Sequence, residues 1–72
     1  MLTFSKDELL AMSKGSVIAH IFSLQAEKEV TDKLHPAVLA AMSKEDLVTR
    51  AVILQSEIEW RRLQHLTSGG AG

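Results

Sequence analysis

The sequence predicts an all-α fold, a single small bundle of three to four helices. Three observations carry this. Two helix-start signatures, Ser5–Glu8 and Ser43–Asp46, each sit just ahead of an apolar stretch. Leu47, Ala51, Leu54 and Ile58 recur at 4-3-4 spacing, the period of one helix face. The only stretch with strand character, residues 16–24, has no mate elsewhere in the chain, and a lone strand is not a stable element. The length of 72 residues allows one domain, which we place over 1–66, followed by a disordered Gly-rich tail over 67–72.

The first helix is predicted over 6–13. Ser5 can cap it, Glu8 can reach back to the Ser5 amide, and Phe4 and Leu9 match a hydrophobic staple. Gly15 reads as its stop. The next stretch is ambiguous, because Val17, Ile18, Ile21 and Phe22 suit either a buried strand or a helix capped by Ser16. The helix-forming residues that follow, with Val30 and Leu34 four apart, favour one continuous helix over 17–34.

His35-Pro36 ends that segment, since the residue before proline is pushed out of the helical region. Pro36 suits the first position of a short Ala-rich helix over 37–42. The last helix is predicted over 44–66. Val48, Val52 and Ile53 widen its apolar stripe, so its first half should be deeply buried. Asp46 with Arg50, and Glu57 with Arg61, form acid-before-base pairs four residues apart.

Ser43-Lys44-Glu45-Asp46-Leu47 echoes Ser5-Lys6-Asp7-Glu8-Leu9, and Ala-Met-Ser-Lys occurs at 11–14 and again at 41–44. The two echoes have different offsets, which argues against a true internal repeat and for similar cap chemistry arising twice.

Composition excludes several function classes. No cysteine is present, which removes disulfides, thiol chemistry and Cys-based zinc sites. A net charge of -1, with acids mixed among the bases of each helix, disfavours direct nucleic-acid binding. No apolar run is long enough for a membrane span, and no signal peptide is apparent, so a soluble cytoplasmic protein is expected. His20, His35 and His65 are far apart in sequence, and we assign no metal or cofactor site. His20 is expected at a core boundary, His35 in a loop and His65 at a helix C-terminus. Glu57 and Glu59 do not face each other on a helix, and an acid–base pair would need Glu27 or Asp32 opposite one of them. There is no Gly-rich phosphate loop and no catalytic residue to name. The expectation is a non-enzymatic protein.

What remains is binding to another protein. Phe4, Lys6, Ile21, Phe22 and Leu24 are the first candidates, because the apolar run there exceeds one helix stripe. Trp60, Arg61 and Arg62 are the second, Trp and Arg being enriched at interface hot spots. Trp60 also reads as a lid on the end of the core. A compact DNA-binding or antitoxin-type regulator, and a dimeric structural bundle, are the alternatives.

In its length, lack of cysteine, near-neutral charge and lack of a targeting signal, the whole chain resembles the small host-takeover proteins of bacteriophages. It is similar to those transcription regulators that bind host RNA polymerase. The resemblance implies a protein that acts in the bacterial cytoplasm on transcription initiation and termination. It lies in length and character, so no functional residue is carried over.

Overall fold

The computed structural model describes the backbone of residues 3–71 and the side chains of residues 3–64. Four helices form, α1 Lys6–Ala11, α2 Lys14–Gln25, α3 Pro36–Ala41 and α4 Lys44–Ala71, with no strand among the described residues. The fold is all-α, as expected. The His65 side chain and the side chains of the 67–72 tail lie outside the described residues.

The Ser5 and Ser43 caps form where the sequence places them. The Ser5 hydroxyl accepts from the Glu8 amide, and the Glu8 carboxylate accepts from the Ser5 amide, closing the box. Ser43 Oγ accepts from the Asp46 amide, but Asp46 is shorter, and no return bond forms among the described residues. Ser5→Ala and Ser43→Ala should each lower stability by about 0.5–2 kcal/mol, with Ser5 the more costly. Chemical denaturation of the two variants checks the ordering.

The second helix differs from expectation at both ends. It starts at Lys14, with Ser13 as its cap in place of Ser16, and Gly15 sits inside its first turn. It stops at Gln25, and residues 26–35 run as a turn and an extended segment, where a continuous helix to 34 is predicted. Tertiary contacts override helix propensity here. The linker turns back so that Val30 enters the core at 3% exposure. Gln25 then takes both the N–H and the C=O of Leu34 through its side-chain amide. His35 Nδ1 accepts from the Ala37 amide, so this residue is the cap of α3 as well as a loop residue.

The internal repeat is real, and its offset is thirty residues. Leu9, Val17, Ile21, Leu24 and Gln25 are buried, and so are their counterparts Leu39, Leu47, Ala51, Leu54 and Gln55. The contacts are reciprocal. Gln55 binds the N–H and C=O of Phe4, just as Gln25 binds those of Leu34. Lys14 Nζ donates to the Ala40 carbonyl, and Lys44 Nζ donates to that of Leu10. Each long helix thus sends a lysine to the last turn of the other half's short helix, where carbonyls are unpaired and the dipole is negative. Reciprocal contact of this kind is the signature of an isologous pair. Two short-helix/long-helix halves, 4–25 and 34–55, pack on each other within one chain. The cap-like echo at a different offset is coincidental, and it masks this repeat.

The core is Leu9, Val17, Ile21, Leu24, Val30, Leu39, Leu47, Val48, Ala51, Leu54 and Ile58. The predicted 4-3-4 stripe of α4 is buried throughout. Ile53 is not; it is 51% exposed, because it lies on the far side of the helix from that stripe. The Asp46–Arg50 pair also fails to form, because Arg50 turns to Asp32 of the linker, at 3.7 Å from its carboxylate. Glu57–Arg61 does form, at 3.7 Å.

Candidate protein-docking surface

Past Gln55 the two halves part company. α2 ends at Gln25, whereas α4 runs on without a break. Its 28 residues, at about 1.5 Å each, account for the molecule's 44 Å long dimension. Among the described residues the last buried one on this helix is Ile58, and the following residues to 64 are half-buried or exposed. Ile53 and Trp60 are two turns apart and point the same way, opposite the core stripe. Trp60 is 60% exposed, and Leu63 on the same side is half exposed. A helix with apolar residues on both faces buries one of them in its own domain and presents the other. Trp60 therefore does not close off the core.

Arg61 and Arg62 do not join that surface. Both reach across to the linker. Arg61 donates to the Glu29 carbonyl, while Arg62 pairs with Glu27 at 2.9 Å and with Glu29 at 3.3 Å. Arg50 adds a bond to the Asp32 carbonyl at 2.9 Å. Three arginines of α4 thus strap residues 27–32 to its side. Of the carboxylates that an acid–base pair would have needed, Glu27 binds Arg62, Asp32 binds Arg50 and Glu57 binds Arg61.

Two acids of the molecule hold their charge more readily than usual. Glu29 is held below the ordinary carboxylate range by a hydrogen bond from its own amide, against its burial, with Arg62 and Lys28 adding to the lowering. Glu8 is lowered by the Ser5 amide and then the Ser5 hydroxyl. Folded values below the unfolded ones mean stability that is full above the ordinary carboxylate pKa and lost as pH falls through the folded values. The urea midpoint should therefore hold steady from pH 7 to about 5 and fall below about 4.5. Glu29→Gln should lower the midpoint at pH 7 and flatten that fall. A midpoint unchanged at pH 3 would show that neither carboxylate is linked to folding.

The remaining candidates divide by burial. Ile21 and Leu24 are sealed in the core at 0% and 1% exposure, so neither can meet a partner without unfolding the domain. The i, i+3 pairing of these two residues points them both at α4. Phe4 is half-buried against the core and meets His20 edge-to-face, with ring centroids 4.8 Å apart. His20 also bonds Gln55 at 2.7 Å, which places it at the core boundary as expected. Phe22 is 38% exposed. Lys6 is exposed and lines an open groove between α1 and α4 with Leu10, Glu45, Val48 and Thr49. The structure thus leaves Trp60, Phe22 and Lys6 accessible and does not gather them with Arg61 and Arg62 into one patch.

Sequence reasoning missed Ile53 as a surface residue and Gln25, Gln55, Lys14 and Lys44 as contacts between halves. A signal for the latter exists. The Ala-Met-Ser-Lys echo extends at the same offset to Leu24-Gln25 and Leu54-Gln55. Among the described residues, no group of three or more His, Asp or Glu is placed to hold a metal ion. Among them, too, no helix is long and apolar enough to cross a membrane. No protein-family model, curated protein or solved structure matches this chain.

Proposed function

We propose that the protein acts without chemistry of its own, as a cytoplasmic regulator that docks on bacterial RNA polymerase and modulates initiation and termination. The docking surface is the outer face of α4, centred on Trp60. The exposure of this one tryptophan on a helix already apolar on its other face is the observation that supports the reading. Tryptophan is the residue type most enriched at binding hot spots, and a half-exposed indole in a domain this small is apolar area that a partner would cover. The choice of polymerase comes from the resemblance to phage regulators in length and character.

The test is binding of purified polymerase to the wild-type chain and to Trp60→Ala, each with a thermal midpoint. Loss of more than about 1 kcal/mol of binding with an unmoved midpoint supports the surface. Equal binding by both moves the contact off α4, and no binding by the wild type removes polymerase as the partner.

A further inference from the structure

The duplicated architecture has a consequence that does not depend on the α4 surface. Both glutamine clasps and both lysine bonds run between the two halves, each in both directions. None of these bonds needs the halves to belong to the same chain. What keeps them in one chain is the linker, residues 26–33.

That linker is in conflict with itself. By sequence it is helix-forming, and the residues thirty positions on, 56–63, do continue as helix. It is bent back by Val30 in the core and by the arginine strap on Glu27, Glu29 and Asp32. Within the strap, Glu29 Oε2 and Arg50 Nε are buried with no hydrogen-bond partner among the described residues. A segment whose local preference opposes its tertiary conformation lowers the cost of a second packing in which that preference is met. If residues 26–33 join α2, the helix grows by about 12 Å and carries the second half away from the first. Each half then keeps its contact face open, and the surface complementary to it is the opposite half of a second copy.

We infer that this chain pairs with a second copy of itself by exchanging halves: 4–25 of each copy packs on 34–55 of the other, with 26–33 as the hinge. The assembly closes at two copies, because both halves of both chains are then used. The linker contacts favour the single-chain form, and the local helix preference favours the exchanged one.

The test weakens the linker's hold and leaves both glutamine clasps and both lysine bonds intact. The mass of Val30→Ala/Arg62→Ala is measured by light scattering across concentration, with circular dichroism alongside. The expected result is a dimer dissociation constant at least about tenfold below that of the wild type, with helical content equal or higher. The dimer should persist on dilution until the chain is unfolded, since separating exchanged halves means opening both. It should also persist when Trp60→Ala is added, which tells it apart from docking of two α4 outer faces. A folded monomer at every concentration, or a dimer lost with Trp60→Ala, overturns the inference. Should the double variant only unfold, the wild-type chain in rising salt decides. Screening of the strap should raise its slowly exchanging dimer fraction, and a wild type that stays monomeric there overturns the inference as well.

Discussion

Leu54→Ala should cost about 2–5 kcal/mol, which for a chain this short removes most of the folded population. Leu54 is 1% exposed at the centre of the α4 stripe, and its counterpart Leu24 is 1% exposed on α2. Both are in the one core cluster, so neither cavity can open to solvent cheaply. Leu24→Ala should therefore fall in the same range. The contrast is Ile53→Ala, one residue away and half exposed, which should stay within about 0.5 kcal/mol of the wild type. Urea denaturation of the three variants checks the set. An Ile53 variant as damaging as the Leu54 one would mean that the outer face of α4 is covered in the folded protein.

Gln55→Ala should be the most costly change of a polar residue. Gln55 is 7% exposed and bonds the Phe4 N–H, the Phe4 C=O and His20. Truncation leaves backbone groups without partners in a part-buried site, at about 1–3 kcal/mol for each group that water cannot reach. Gln25→Ala removes the matching clasp on Leu34 but no third bond, so it should cost somewhat less. Gln55→Glu is the sharper variant. The carboxylate can still accept from the Phe4 amide but cannot donate to its carbonyl, so stability should fall and recover as acid protonates it. Amide exchange at Phe4 and Leu34 reports each clasp separately. Loss of protection at Leu34 alone in Gln25→Ala, and at Phe4 alone in Gln55→Ala, is the expected pattern.

Much of the fold was legible because it rests on local chemistry. Ser5 with Glu8, Ser43 with Asp46, and Pro36 at a first helical turn all act over three or four residues, a range that sequence spacing reports directly. The 4-3-4 stripe of α4 is local in the same sense, and it identified Leu47, Ala51, Leu54 and Ile58 as core. The candidate surface was less legible. An apolar run from Ile21 to Leu24 looks alike whether one face or two are covered, and only the position of α4 shows that Ile21 and Leu24 are sealed while Phe22 is not. Trp60 had two readings for the same reason. Arg61 and Arg62 read as interface residues until the linker folded back to meet them.

The helical class, the Ser5 and Ser43 caps and the main core stripe are legible in the chain alone, because helix period and capping are set by near neighbours. Packing between distant segments sets where α2 starts and ends, which residues of α4 stay exposed, and the reciprocal clasping of two like halves. Those depend on contacts beyond the reach of helix period and capping: Gln25 clasps Leu34 nine residues on, and Gln55 clasps Phe4 fifty-one residues back. Residues 26–33 have the propensity to continue as helix, and they bend because Val30 and the clasp on Leu34 hold the second half against the first.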